Sequence, residues 1–207
     1  MINTLLQHPF RIATILLVAV IGGALLSYGL TVDGAQAVAR YTARLSFLIF
    51  ALVFSISAGH RFFRSGLSAA LLANRRRLGL TFAYVHFVHL ACVGMYVWLS
   101  GASPQPIRLA GGALAYALLA AMAATSNDAA VKKLGHKNWK RLHTTGVYYL
   151  WFVFFMTYFP RLQGALPGVG GGMAEFIPLF VLLLAILGFR LAATFAPRAG
   201  KLQEATD

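Results

Sequence analysis

The chain has 207 residues, 59% of them apolar and only 11% charged, against about 25% charged for an average soluble domain, which excludes an ordinary water-soluble protein. Its 18 Lys and Arg outweigh 5 Asp and Glu, but a mean hydropathy of +0.71 argues against nucleic acid as partner and for cations gathered in the cytoplasmic loops of a membrane protein. The single cysteine, Cys92, excludes an internal disulfide and a Cys-based zinc finger, and inside an apolar run it reads as a small buried hydrophobe.

Crossing the hydrocarbon core takes about 20 mostly apolar residues. Six stretches meet that requirement, approximately 10–31, 42–62, 78–100, 107–126, 141–159 and 175–195. The expected fold is an all-α integral membrane protein, a six-transmembrane-helix bundle forming a single membrane domain over 1–207, with 196–207 a short cytoplasmic tail. The first stretch is followed by Ala35-Gln36-Ala37, which looks like a signal-peptidase site. Its apolar run exceeds the roughly 7–15 residues of a signal h-region, so it is expected to stay. The second stretch ends at His60 and leads into the basic loop 63–77, which closes on Arg75, Arg76 and Arg77.

The third stretch carries His86, His89 and Cys92, and the fourth carries Gly111 and Ala115 in a small-xxx-small spacing that suits close helix packing. Loop 127–140 is basic. The fifth stretch opens on His143 and becomes strongly aromatic, with eight Tyr, Trp or Phe among the twelve positions 148–159. Gly168-Val-Gly-Gly-Gly172 lacks the Lys-Ser/Thr of a phosphate loop and reads as a flexible connection before the last stretch. With an even number of crossings the termini share a side with loops 63–77 and 127–140. That side holds 14 of the 18 Lys and Arg, and Arg40, Arg44, Arg108 and Arg161 are the other 4. The positive-inside rule then makes both termini of this multi-pass chain cytoplasmic.

Of six histidines, His8, His60 and His136 fall at interfaces, where solvation explains them. His86, His89 and His143 lie inside spans on parallel helices 3 and 5, where an ionisable group is costly and marks a candidate site. Zinc or copper takes three or four ligands, and the five acids, Asp33, Asp128, Glu175, Glu204 and Asp207, all sit in loops, ends or helix margins. A Ser-His-Asp system lacks its acid for the same reason. Heme needs one axial residue per face and a wide apolar slot, which helices 3 and 5 and the aromatic run can supply.

The segment Asn74-Arg-Arg-Arg-Leu-Gly-Leu80 followed by Tyr84 and His89, and the segment Thr125-Ser-Asn-Asp128 followed by Leu134-Gly135, Trp139, Leu142-His143 and Tyr148, resemble the ferric-reductase-like transmembrane superfamily. In size and in lacking a flavin domain the chain is most similar, within it, to the heme-binding subunits of periplasmic methionine sulfoxide reductase systems. The resemblance spans about 42–195. It implies heme b between helices 3 and 5, one heme with a second as an option, and His89 and His143 at the ligand positions to the heme iron. FMN or a quinone would be further cofactors. Electrons would come from a cytoplasmic flavin reductase or membrane quinol and leave to a periplasmic molybdopterin-containing methionine sulfoxide reductase.

The family's second helix-5 histidine falls 13 residues after the first, where this chain has Met156. At about 1.5 Å per residue, His89 lies roughly 18 Å past Arg77, His143 roughly 9 Å and Met156 roughly 28 Å past Lys137. Depth alone therefore selects no partner for His89. His143, Met156 as a thioether ligand, or two hemes all stay open. His86, one turn before His89, is a further candidate as ligand, hydrogen-bond donor or packing group. Arg75 and Arg77 at the cytoplasmic mouth are candidates to pair with heme propionates or flavin phosphate, although topogenesis alone would place them there. Two other functions compete: a self-sufficient transmembrane ferric, metal or quinone reductase, and a non-redox transporter or scaffold whose histidines only pack.

Overall fold

The computed structural model describes residues 6–164 and 173–196. The described chain runs through α1 (Pro9–Tyr28), α2 (Val32–Phe62), α3 (Gly66–Ala73), α4 (Arg75–Ser100), α5 (Pro106–Ala124), α6 (Asp128–Leu134), α7 (His136–Leu162) and α8 (Met173–Phe195), with no strand among the described residues. Five helices, α1, α2, α4, α5 and α8, are long and apolar enough to cross a membrane, which gives the chain its transmembrane character. The sixth expected stretch, 141–159, lies within α7. That helix has 27 residues, about 40 Å, but its Lys, Arg, Tyr, Trp and Thr make it the least apolar of the long helices. The glycine-rich connection and nearly all of the expected tail lie outside the described residues.

Local chemistry sets the helix ends. Pro9 and Pro106 open α1 and α5, where a missing N–H costs nothing. Gly29, at φ +73°, ends α1, and Thr31 caps α2 by accepting a hydrogen bond from the Gly34 N–H at 3.1 Å. This corrects one expectation: helix 2 starts about ten residues early, so Ala35 and Ala37 are buried inside α2 rather than standing in a loop. Each of the two basic loops also holds a short helix. Ser65 and Ser68 form a reciprocal capping box on α3, and Asn127 caps α6 through its side-chain oxygen, which accepts from the Ala130 N–H at 2.8 Å. Gly101 and Gly135 adopt positive φ at the ends of α4 and α6.

α2 is the central helix, with its broadest contact on α4 and further contacts to α1 and α8. Phe47, Phe50 and Phe54, spaced three and four apart, share one face and are essentially fully buried. They pack with Leu150, Phe154 and Tyr158, spaced four apart on α7, together with Phe82, Leu119 and Leu183. Small residues bring α5 and α7 together. Ala115 is completely buried, the Tyr149 hydroxyl donates to the Gly111 carbonyl at 3.1 Å, and a methyl on Gly146 would meet Met122 Sδ at 2.6 Å. α4 and α7, by contrast, make no extensive backbone contact. The space between them is the candidate site.

Candidate functional site

A cavity of about 610 Å³ opens where α4, α5, α7 and α8 surround the inner face of α2. Its walls are apolar, with Phe50, Phe54, Phe82, Leu119, Met122 and Leu150, and its mouth is basic, with Arg75, Arg76, Lys140 and Arg190 against the single carboxylate of Asp128. That volume falls within the roughly 300–1,000 Å³ of cofactor pockets, and a few polar groups in an apolar lining are what such pockets show. His143 and Trp139 line it from α7.

The segment from Thr125 to His143 folds into one corner around His143. Asn127 starts α6, Gly135 turns the chain, and α7 begins, which returns Trp139 and His143 to the end of α5. Thr125 then holds both. Its hydroxyl lies 3.2 Å from His143 Nε2, and its carbonyl accepts the Trp139 indole N–H at 2.9 Å. Trp139 stacks on the His143 ring at 4.2 Å between centroids. The imidazole is therefore fixed on two sides while still lining the cavity. Asp128 at the start of α6 forms a salt bridge with Arg76, clasping α6 to α4. The Arg76 hydrogen bond holds the Asp128 carboxyl below the usual carboxylate range. A depressed value means that the clasp's contribution is present above the ordinary carboxylate pKa and is lost as pH falls through the lowered one; full exposure keeps that contribution small.

The α4 histidines are anchored from α2. His86 Nδ1 lies 2.7 Å from Ser46 Oγ, and His89 Nδ1 lies 3.1 Å from Thr42 Oγ1, so hydroxyls one turn apart hold imidazoles one turn apart. His86 is walled in by rings: Tyr116 stacks on it at 4.8 Å, with Phe82 at 5.3 Å and Phe154 of α7 at 5.8 Å. His89 is only partly buried, and its centroid is 5.6 Å from that of His86. Neither lines the cavity itself, but Phe82 and Ala83, the turn of α4 before His86, do. Among the described residues no hydrogen bond or ring contact joins His143 to either, and no group of three or more His, Cys, Asp or Glu comes together.

Two candidates from the sequence stand apart from this arrangement. Met156 is 46% exposed, about 140° around α7 from His143 at 100° per residue, and it does not line the cavity. Arg77 is exposed on the outer side of the first turn of α4, and Arg76 rather than Arg77 joins Arg75 at the mouth. Sequence reasoning missed Thr42, Ser46, Tyr116 and Arg190, and it quoted Thr125 only as part of a motif, without its role as partner of His143. The signal for the first two was available: hydroxyls at i and i+4 fall on one face of a helix.

No protein-family model, curated protein or solved structure matches this chain.

Proposed function

We propose that the chain is a b-type heme-binding membrane electron-transfer subunit of the MsrQ (YedZ) kind. The observation that carries this reading is the cavity between α4 and α7, apolar within, basic at its mouth, with His143 and, at the start of α7, His136 in its wall and two more imidazoles on α4 beyond it. The donor set suits heme. His86, His89 and His143 each have one ring nitrogen on a hydroxyl, and a metal-binding imidazole held through its other nitrogen has its ring orientation fixed. His143 in the cavity wall would hold the iron from α7; on α4, His89, which stands outside the cavity lining, is the candidate for the second position, with His86 as the packed neighbour. When bound, heme supplies one-electron redox chemistry. The chain's own residues orient it and exclude water, through Phe50, Phe54, Phe82 and Leu150.

In this reading α7 is the sixth crossing, both termini are cytoplasmic in a bacterial inner membrane, and the basic mouth faces the cytoplasm. Electrons enter there from reduced flavin or quinol and leave on the other side to a molybdopterin-containing methionine sulfoxide reductase. Purified full-length protein from heme-replete cells is expected to give a Soret band and about one heme per chain by pyridine hemochrome. A colourless protein would leave the histidines as packing groups of a non-redox protein, a role their hydroxyl partners also satisfy. In liposomes, heme reoxidation by ferric chelates without a partner reductase would instead indicate a self-sufficient metal reductase.

Orientation has its own test. In a background where Cys92 is replaced, single cysteines at 102–105 are expected to react with an impermeant maleimide from outside the cell, and cysteines at 65–73 or 129–138 are not. The reverse pattern would invert the topology.

A further inference from the structure

We propose that Arg75 and Arg190 form a two-guanidinium anion site, which takes a carboxylate or phosphate carried on an amphiphile whose apolar body fills the cavity between α4 and α7. The identity of that amphiphile as heme rests on the function proposed above; the anion site itself rests on charge. Arg190 belongs to α8, within a segment apolar enough to cross a membrane, where a cation is expensive and needs a counter-charge. It is held in the cavity wall by specific contacts: its Nη1 donates to the Phe54 carbonyl at 3.0 Å, and its guanidinium lies 4.4 Å from the Phe54 ring centroid and 5.1 Å from that of Tyr148. A fixed, partly buried guanidinium is ready to bind an anion with little ordering cost.

Arg75, at the first turn of α4, lines the same cavity. The described acids cannot neutralise the pair. Glu175 is bridged to Arg44 and Asp128 to Arg76, while Asp33 lies in the first turn of α2, remote from the cavity lining. Arg75, Arg76, Lys140 and Arg190 against Asp128 leave the mouth with a surplus of positive charge at the edge of an apolar chamber. Planar guanidiniums match the paired oxygens of a carboxylate or phosphate. A ligand with its anionic group at the mouth and its hydrocarbon or ring system inward satisfies both halves of the site.

The test uses full-length protein purified without heme. Hemin, hemin dimethyl ester and phosphatidylglycerol are the probes, the porphyrins followed by absorbance titration and the lipid by native mass spectrometry. Wild type is expected to bind hemin about 10- to 100-fold more tightly than its ester, the range for charge-assisted hydrogen bonds. Arg190→Gln and Arg75→Gln should each remove most of that preference, Arg190→Lys should restore part of it, and Lys133→Gln should retain it. Arg75 sits at the rim, so its variant keeps the test informative if Arg190→Gln fails to fold. Failure of both porphyrins to bind, with phosphatidylglycerol retained by wild type and lost in both variants, would reject the heme reading and keep the anion site with lipid as its source. Equal binding of hemin and ester by wild type, with lipid retention unaffected by either variant, would overturn the anion site and leave the heme reading standing. Absence of binding by all three probes would overturn both.

Discussion

If the chain holds heme as proposed, His143→Ala is expected to purify with most of that heme gone, because it removes the imidazole set deeper along α7 in the cavity wall, about two turns beyond His136 at the helix start. Loss of a hydrogen-bond partner behind a ligand already weakens metal sites by about 10- to 100-fold, and loss of the ligand itself should exceed that. On α4 the expected pattern is asymmetric. His89→Ala should lose heme, since its ring is less enclosed than that of His86 and is oriented from α2 by Thr42 and the Ala39 backbone. His86→Ala should keep heme, since Tyr116, Phe82 and Phe154 surround its ring.

The hydroxyls give an independent reading of the same question. Thr42→Ala should weaken heme binding by about 10-fold or more if His89 is the ligand, and Ser46→Ala should do so if His86 is. Heme lost from His86→Ala and Ser46→Ala but retained in the other two would transfer the ligand role to His86. Met156→Leu should leave the absorption spectrum unchanged, as its half-exposed position away from the cavity implies. Retention of wild-type stoichiometry and spectrum by His143→Ala and both α4 variants would end the coordination assignment.

Gly34→Ala is expected to be strongly destabilising although it adds one methyl group. In the tight connection from α1 to α2, an added Cβ at Gly34 would lie 2.0 Å from the Gly29 carbonyl oxygen and 3.2 Å from its carbon. These are backbone atoms of a residue at φ +73°, and no rotamer change can relieve the clash. Relief would require moving the Thr31 cap, which receives the Gly34 N–H, and with it the first turn of α2. Overpacking of this kind costs about 1–3 kcal/mol or more. A lowered midpoint of thermal unfolding in detergent is the expected result. Gly22→Ala is the control: its methyl would meet nothing within 4 Å, and helix propensity favours it by about 0.5–1 kcal/mol. Equal midpoints for the two variants would refute the steric argument.

The helical, membrane-embedded character was legible from hydropathy because apolar runs near bilayer length have few other uses. The start of α2 was not. Val32–Tyr41 is polar enough to resemble a loop, yet Thr31 and Asp33 carry the marks of a helix N-terminus. The α5–α7 corner was legible as a motif, Thr125 to Trp139 and His143, but its logic was not: that Thr125 serves both the indole and the imidazole depends on the turn at Gly135. In the sequence, Arg190 is one more cation among the 14 on the basic side. Its role is invisible in sequence because Phe54 and Tyr148, which hold it, come from two other helices.

The helices differ greatly in length, and this bears on how the bundle sits in lipid. α2 has 31 residues, about 46 Å, whereas α5 has 19, about 28 Å, close to the roughly 30 Å hydrocarbon thickness of a bilayer. The short helix has no slack, so it registers the bundle against the acyl chains. The long one overhangs by about ten residues or leans to fit. Thicker bilayers would therefore strain α5 first, stretching or tilting the wall that carries Leu119 and Met122, while α2 absorbs the change by sinking deeper. Acyl-chain length thus becomes a dial on the geometry of the chamber, turned from the lipid side without any change in the protein.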